Sequence, residues 1–485
     1  MMYKHGIDIV EQRTGPEPIR SLSAVQVVFG TAQVNLLDDP AAAVNKPIVI
    51  NSEADAKTKL GYSRDNRDFD FTVNHSLFAS LELYNVAPIV VINVLDPAVH
   101  KTDVTDEVVS ISKGTAKIAN KKVLLSSVVA ENADGLTTYE RDVDYTLSFN
   151  TAGEPVIGVI SGGQLDGQTE VTVSYSALDP SAVTEVDVIG GYDAATGVRT
   201  GIELMTSVYP QYNILGAQLL APGFSHKPDV AAVLAAKSQK INGNFSAMNV
   251  LDVDTTAVTK YEDVAAWKVD NGYDNKESIV AWPMVKKNGQ VLYFSAVLAA
   301  RIAQTDAEND DVPNVSPSNK PFNIDATVLK SGTEMYLDQP EANVLNGAGI
   351  VTAINFNGWR TWGNNTAAFP ESTLPQDRFI AVRRVFQWWG NTFILAYFNK
   401  VDNPADTKLI ESVVSAENIR ANGFAAEGKI SGAVIEFRES MNPIENILNG
   451  KIVFIQRIGA YSPAEQITNI LEFDPTITAT ALGGA

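Results

Sequence analysis

The stretch TVNHSLFASLELYNVAPIVVINV, residues 72–94, decides how this 485-residue chain folds. Its first half has apolar side chains at the helical spacing of three or four residues, namely Val73, Leu77, Leu81 and Tyr84. Pro88 ends the predicted helix, and the apolar run 89–94 predicts a buried strand. Because a similar strand is predicted at 24–30, the chain begins with strand, helix, strand, which is the unit of a parallel sheet.

The pattern of the remaining chain predicts several domains. Alternating strands and helices resume at about residue 180, whereas residues 102–179 consist of short alternating runs with turn residues, which predicts an inserted all-β domain. Further on, helices are predicted near 376–398 and 407–421, and strands at 429–438 and 451–458. The fold class is therefore α/β and α+β, multidomain. The predicted divisions are an N-terminal arm, a split α/β domain, the inserted β-rich domain, a C-terminal α+β domain and a C-terminal arm: residues 1–23, 24–101 with 180–340, 102–179, 341–463 and 464–485.

The composition excludes several classes of protein. The chain has no cysteine, so disulfides, thiolate metal sites and cysteine nucleophiles are excluded. A formal net charge of −20 and a pI of about 4.6 argue against nucleic-acid binding through phosphate neutralisation. The acidic surface either keeps the protein in solution or complements a basic partner, and both interpretations stay open. No apolar run approaches the ~20 residues of a membrane span, so we expect no membrane insertion. The start lacks a signal-peptide pattern, so we expect synthesis in the cytoplasm.

The strongest candidate for enzymatic chemistry is the glycine-rich stretch 190–201. Glycine-rich loops can bring backbone N–H groups close to a phosphate, but this stretch matches neither the P-loop nor the dinucleotide-binding pattern. The pair Ser225 and His226 follows a predicted strand, where α/β proteins place ligands, yet adjacent residues seldom face each other and the nucleophile-elbow motif is absent. We predict a structural loop, and the alternative is an α/β enzyme or ligand-binding protein that would depend on Asp193 or His226.

The histidines, the acidic run and the tryptophans are candidates for metal or stacking sites. The four histidines are far apart in sequence, and the acidic run 306–311 lacks the spacing and central glycine of a calcium loop, so a solvated acidic loop is predicted. Tryptophans in the C-terminal third could form a stacking platform, but packing is the commoner use of such residues: Trp359, Trp362, Trp388 and Trp389. We predict no catalytic residue, no metal and no cofactor.

Both ends of the chain have the alternation of strands. Near the N-terminus, Tyr3, His5, Ile7 and Ile9 share one face of a predicted strand. In the C-terminal segment the shared face consists of Ile467, Asn469, Leu471 and Phe473. A terminal strand exposes unpaired backbone groups and therefore needs a partner.

The order of segments along the whole chain resembles the contractile tail sheath proteins of bacteriophages and R-type bacteriocins. The most specific stretch is Gly347-Ala348-Gly349-Ile350 followed by Gly358 to Thr366, GWRTWGNNT. Other stretches of the resemblance lie at residues 3–7, 28–32, 189–201, 220–225, 316–320 and 378–384. Each stretch is weak by itself, and their shared order over hundreds of residues carries the resemblance.

The resemblance implies a structural subunit whose α/β sheath core carries the inserted domain and extended β arms. It implies hexameric rings in a helical polymer around an inner tail tube, with the arms adding strands to sheets of neighbouring subunits. The subunit-linking arm residues would be Tyr3, Ile7, Ile9, Ile467, Leu471 and Phe473. The receiving strands would contain Ile452, Phe454, Val434 and Phe437. The candidate tube-facing helix would present Lys408, Glu411, Glu417 and Arg420.

The implied partners are further copies of the chain, the inner tube protein, and the baseplate and tail terminator proteins. Such a subunit would assemble in the host bacterial cytoplasm and then form part of a phage tail or a released particle. Contraction would move linked subunits into a lattice that buries more surface, without nucleotide hydrolysis. A rigid, non-contractile tube or surface-layer protein is a third interpretation, and it predicts polymers of a single diameter.

Overall fold

The computed structural model describes residues 18–482, which form a mixed α/β protein with several sheets. The predicted arm residues Tyr3, Ile7 and Ile9 lie outside the described residues. The first described elements are β1 (Ile19–Arg20), β2 (Gln26–Gly30), β3 (Pro47–Ile50), α1 (Glu53–Leu60), α2 (Val73–Leu77), β4 (Val86–Ala87) and β5 (Ile89–Asn93). A π-helical turn, Phe78–Leu83, continues α2, so the predicted helix is present but changes its winding.

The next part of the chain is built from strands. These are β6 (Lys101–Ser110), β7 (Thr115–Lys117), β8 (Val129–Glu131), β9 (Thr138–Tyr139), β10 (Tyr145–Phe149), β11 (Pro155–Val159) and β12 (Glu170–Leu178). They form a four-stranded sheet in the order β6-β12-β8-β9 and a three-stranded sheet in the order β10-β11-β7. Buried residues such as Tyr145, Ile157 and Val171 form a hydrophobic cluster separate from the main core. The division into an inserted domain and its neighbours stays a prediction.

Helices and strands alternate again after residue 184. The elements are α3 (Glu185–Ile189), β13 (Gly191–Tyr192), β14 (Arg199–Thr200), α4 (Met205–Tyr212), β15 (Gln218–Leu220), α5 (Pro228–Ser238), β16 (Met248–Asp252), α6 (Tyr261–Asp270), β17 (Ser278–Ala281), β18 (Met284–Lys287), β19 (Gln290–Leu292), α7 (Phe294–Ala307), β20 (Ala326–Val328), β21 (Glu334–Met335) and α8 (Gln339–Gly347). The helix expected from about Thr255 begins only at Tyr261. Asp254 accepts hydrogen bonds from the backbone and hydroxyl of Thr256, which holds a turn in place of the first helical residues.

The C-terminal elements are β22 (Ile350–Asn355), β23 (Trp359–Trp362), α9 (Pro375–Arg378), α10 (Ile380–Tyr397), α11 (Thr407–Ala426), β24 (Gly432–Phe437), α12 (Ile444–Leu448), β25 (Phe454–Gly459) and α13 (Pro475–Ala481). The helix predicted over 376–398 is divided into α9 and α10. The division falls at Phe379, whose backbone is extended and forms a bridge with Asn365.

The largest sheet has eight strands in the order β23-β22-β17-β16-β15-β2-β5-β3. Its central strands are parallel, and the two edge strands, β3 and β23, are antiparallel to their neighbours. The predicted strand–helix–strand unit is present, because β2 and β5 are parallel neighbours and α2 lies between them in sequence. Phe29 and Val91 on these strands are fully buried, as expected for a parallel sheet covered on both faces.

The C-terminal boundary predicted at residue 341 is corrected. Strands β22 and β23 follow that boundary, yet they belong to the eight-stranded sheet. Leu345, Ile350 and Ala367 are likewise buried in the main hydrophobic core. We therefore place the start of the C-terminal packing unit at α10. Its own small core contains Val385 and Trp389 of α10, Ala421 of α11, and Ile430 and Ala433.

Candidate subunit-linking sheet and C-terminal segment

The C-terminal packing unit contains a two-stranded antiparallel sheet, β24–β25. In β24, Ala433 and Ile435 are buried, whereas Val434 between them is 49% exposed. This alternation follows from the two faces of a strand. The buried face packs toward the small core, and the other face is open to solvent.

The outer edge of β24 is occupied by a side chain. Asn418 of α11 donates from Nδ2 to the carbonyl of Ile435 and accepts from its N–H, at 3.1 and 3.0 Å. Both backbone groups of Ile435 therefore point away from β25. Since antiparallel pairs alternate, its opposite residue Gln456 also points its backbone groups outward. The outward edge of β25 is thus presented at Phe454, Gln456 and Ile458, and it has no partner strand among residues 18–482.

A buried carboxylate fixes this sheet against the helices. Glu417 of α11 is fully buried, and Trp389 Nε1 donates to its Oε1 at 2.8 Å. Arg420 Nη2 donates to the same oxygen at 2.6 Å and Gln456 Nε2 at 2.9 Å, while the Tyr397 hydroxyl donates to Oε2 at 3.1 Å. Burial by itself raises the pKa of Glu417, but the hydrogen bonds from Arg420 and Gln456 outweigh it and leave the pKa lowered. Glu417 thereby links α10, α11 and β25.

The segment after β25 has few contacts with its own chain. Residues 460–474 are neither helix nor strand, and within the described chain they make no backbone hydrogen bond to other residues. The expected strand from Ala464 onward is therefore not formed in the single chain, because it has no partner. Ala460 packs against the small core, and Arg378 and Glu465 form an ion pair between this segment and the body. Helix α13, which follows this segment, was not predicted.

The predicted arm face is strongly exposed. Ile467, Leu471 and Phe473 are 88%, 87% and 84% exposed. Single apolar residues at a surface are normal, but a run of large ones in one segment of an acidic protein indicates a surface that another molecule covers. Thr468 and Glu472 lie on the opposite face, where the alternation is interrupted by Ile470, which is 78% exposed.

The predicted receiving residues lie on or beside the two-stranded sheet. Val434 and Phe437 belong to β24, Phe454 begins β25, and Ile452 precedes it. Phe437 and Phe454 face each other edge-on, with ring centroids 6.3 Å apart. The sequence missed Asn418 and Gln456, which determine the state of the two edges, because no pattern along one helix shows which strand it meets.

The candidate tube-facing residues of α11 do not share one environment. Lys408 and Glu411 are exposed, and Arg420 is half-buried because it bonds Glu417. Glu417 must be removed from the predicted tube-facing set, since its carboxylate is fully buried among its donors. The remaining assignment stays a prediction.

Trp388 and Trp389 pack as predicted for structural aromatics. Trp389 is buried, and Trp388 meets Phe424 edge-on with ring centroids 5.2 Å apart. Arg420 lies over the ring of Trp389, 4.2 Å from its centroid. These contacts hold α10 against α11 and leave no open stacking platform at this pair.

The glycine-rich stretch 190–201 is a hairpin. Gly191 and Tyr192 pair with Thr200 and Arg199, and a Cβ at Gly190 would lie 2.1 Å from the carbonyl oxygen of Thr200. Glycine is thus required at residue 190 for the close approach of two backbone segments, which favours the structural interpretation.

Ser225 and His226 do not form a catalytic pair. Ser225 Oγ is buried and bonds Asp252, which also accepts from Ser295. Burial raises the pKa of Asp252 to about 6, while these hydrogen bonds lower it in part. The three residues hold the start of α7 to the end of β16. No cluster of three or more histidine, aspartate or glutamate side chains suited to a metal ion occurs within residues 18–482.

None of the helices of residues 18–482 combines the length and the apolar character that crossing a bilayer requires.

The fold is similar to solved structures of contractile injection systems. It matches a chain of the anti-feeding prophage baseplate with a TM-score of 0.59 at 14% identity, covering 98% of this chain and 100% of that one. It also matches a chain of the PVC sheath complex, an extracellular contractile injection system in the contracted state, with a TM-score of 0.58 at 14% identity and coverages of 98% and 99%. The chain thus has the mixed α/β architecture of these assemblies.

The relatives in sequence are tail sheath proteins. The chain is 28% identical over 494 residues to the tail sheath protein of Burkholderia phage BcepMu, and this alignment covers 99% of each chain. It is 28% identical over 309 residues to a putative prophage major tail sheath protein of Pseudomonas aeruginosa, covering 61% of this chain and 74% of that one. No family model matches the chain. The predicted resemblance to contractile tail sheath proteins is confirmed, and it extends over nearly the whole chain.

Proposed function

We propose that the chain is a structural subunit of a contractile tail sheath. It polymerises as hexameric rings around an inner tail tube and contracts to drive the tube through a target cell envelope. The proposal rests on one combination of features. The chain is similar to sheath proteins, and it has both an exposed apolar segment near its C-terminal end and a sheet with an open edge. The subunit is not an enzyme, and its partners are further copies, the tube protein, and the baseplate and terminator proteins.

Strand addition links the subunits in this proposal. The segment from Ala464 pairs with the open edge of β25 in a neighbouring subunit, and the stretch 3–10 of the N-terminal arm pairs with a sheet of another neighbour. An added strand contributes main-chain hydrogen bonds along its length, while alternate side chains enter apolar contacts. Subunits joined in this way can rotate relative to each other without separating.

The work of contraction comes from buried surface. Each subunit moves from a metastable extended lattice into a contracted lattice with larger contacts. At about 25 cal/mol per Å², a few hundred Å² of additional apolar burial contributes several kcal/mol per subunit as an upper bound. Summed over many subunits, this drives the tube without nucleotide hydrolysis.

Deleting residues 464–485 tests the proposal. The truncated chain is expected to remain folded and soluble, because the deleted segment contributes almost nothing to the hydrophobic core. It is expected to form no tubes in negative-stain electron microscopy, whereas the full chain forms tubes of two diameters. Normal sheaths from the truncated chain would contradict strand donation by this segment.

A substitution pair controls for chain length. The triple variant Ile467→Ser, Leu471→Ser, Phe473→Ser removes the apolar face, and Gln466→Ala, Thr468→Ala, Glu472→Ala changes the opposite face. Only the first variant is expected to lose assembly. Equal behaviour of the two triple variants would show that the apolar face does not select the contact.

A further inference from the structure

The acidic turn, residues 306–311, binds the first described residues of the chain, 18–23, which we call the N-terminal root. The carboxylate of Asp311 accepts hydrogen bonds from the backbone N–H groups of Leu22 and Ser23 at 3.0 Å. It also accepts from the hydroxyls of Ser21 and Ser23, at 3.0 and 2.9 Å. Four donors from three consecutive residues therefore converge on one side chain. The solvated acidic loop predicted from the sequence is corrected by these contacts.

The same turn is bound to the C-terminal packing unit through a buried ion pair. Asp306 is fully buried, and Arg384 of α10 donates from Nη1 to its Oδ1 at 2.9 Å and from Nη2 to its Oδ2. Ser23 Oγ lies 2.7 Å from Oδ2 of Asp306 and 2.9 Å from Oδ1 of Asp311, so the two carboxylates share its single hydroxyl proton. Removing one partner of such a buried pair strongly destabilises the folded state, because the remaining charge is left buried and uncompensated.

A third connection joins the acidic turn to the residues just before β24. Lys429 lies three residues before β24, and its Nζ donates to the backbone oxygen of Asn309 at 3.1 Å and to its Oδ1 at 2.8 Å. It also pairs with Asp310 at 2.9 Å. One cation therefore binds three acceptors of the turn.

The backbone of the turn is fixed in an unusual conformation. Asp310 and Asp311 have φ angles of 58° and 61°, in the left-handed region that aspartate tolerates better than most residues. The N–H of Asp311 donates to the carbonyl of Asp306 at 2.8 Å, which brings the two carboxylates to the same side of the turn. The turn can therefore serve the N-terminal root, α10 and β24 together.

We propose that the acidic turn is a mechanical joint that couples the root of the N-terminal arm to the receiving sheet of the same subunit. Asp311, Asp306 and Lys429 are its positioning residues. Tension on the N-terminal arm of a subunit then passes directly to the β24–β25 sheet of the same subunit. The tension therefore does not pull residues 18–23 away from the core. The inference rests on the proposed function for its role in the assembly, whereas the coupling itself is a property of the single chain.

Hydrogen exchange measured by mass spectrometry on the isolated subunit tests the coupling. Asp311→Asn is expected to raise the exchange rate of the Leu22 and Ser23 amides about tenfold, because the amide lacks the charge that strengthens the hydrogen bonds to Oδ1 and presents an NH₂ group to the Leu22 N–H in place of Oδ2. Lys429→Met is expected to raise exchange in 309–311 and also in 19–23. The matched control is Asp325→Asn, which removes a loop carboxylate bonded to Lys287 and Asn288 at a different location. If Lys429→Met leaves residues 19–23 unchanged, the coupling is refuted.

Tube strength tests the mechanical role. Tubes assembled from Asp311→Asn or Lys429→Met subunits are expected to break into shorter fragments under controlled shear than tubes of the unaltered chain and of Asp325→Asn. Equal length distributions, measured by electron microscopy, would overturn the role in load transfer. If the unaltered chain forms no tubes at all, the proposed function fails, and the exchange result still decides whether the coupling exists.

Discussion

Replacing Glu417 by glutamine should weaken the attachment of the β24–β25 sheet to α10 and α11 without changing the shape of the sheet. The carboxylate accepts from Trp389, Arg420, Gln456 and Tyr397, so one side chain holds two helices and β25. Glutamine retains one acceptor oxygen but presents an NH₂ group to Tyr397 and leaves Arg420 without its counter-charge. Hydrogen bonds to a charged group contribute about 1.5–3 kcal/mol and neutral ones about 1 kcal/mol. The expected loss is roughly 2–3 kcal/mol in the free energy of unfolding.

Urea unfolding of Glu417→Gln, compared with Glu411→Gln on the exposed part of the same helix, measures this loss. The pKa of Glu417 is lowered in the folded state, so its stabilisation is present above the unfolded carboxyl pKa and disappears as the pH falls through the folded value. The difference between the unaltered chain and Glu417→Gln should therefore be full at pH 7 and shrink below about pH 4. A cost at pH 7 no larger than that of Glu411→Gln would refute the assignment of Glu417 as the residue that seats the sheet.

Two further predictions concern Asn418 and His75. Asn418→Ala removes both hydrogen bonds to Ile435 and should cost about 1–2 kcal/mol in urea unfolding. It should also raise self-association in analytical ultracentrifugation, whereas the exposed control Asn403→Ala does neither. Burial lowers the pKa of His75 to about 4, although its hydrogen bond to the Phe69 carbonyl opposes the shift. Stability should fall by roughly 3 kcal/mol as the pH drops from 6.5 toward 4, relative to His75→Gln, and a constant difference between the two proteins over that range would contradict this.

The parts of the fold with strong periodicity were predictable from the sequence. The strand–helix–strand start and the two C-terminal strands follow from local patterns of apolar residues, whereas the pairing of those two strands came from the resemblance. The boundary at 341 failed because β22 and β23 join a sheet whose other strands lie far earlier in the chain. Membership of a sheet is decided by pairing between distant segments, and a pattern within one segment does not contain that information.

The candidate site was predictable only in its exposed part. Alternation predicts that Ile467, Leu471 and Phe473 share one face of a strand, and in the structure their side chains are exposed. The acidic turn was misjudged because its partners Ser21 and Ser23 are separated from it by more than 280 residues. Glu417 was misjudged because an isolated helix does not show which of its charged residues meets a buried tryptophan and a neighbouring strand.

The asymmetry between the two edges of the β24–β25 sheet gives any polymer of this chain a direction. The edge of β24 is occupied by the Asn418 amide and that of β25 is open, while the exposed apolar side chains proposed to fill an open edge lie in a separate segment of the chain, residues 467–473. Donor and acceptor surfaces that differ make head-to-tail contacts, which generate rings or helical filaments rather than closed pairs. One end of such a filament presents unfilled edges and the other presents unpaired segments. In the proposed assembly, proteins that cap the two ends would therefore meet different surfaces.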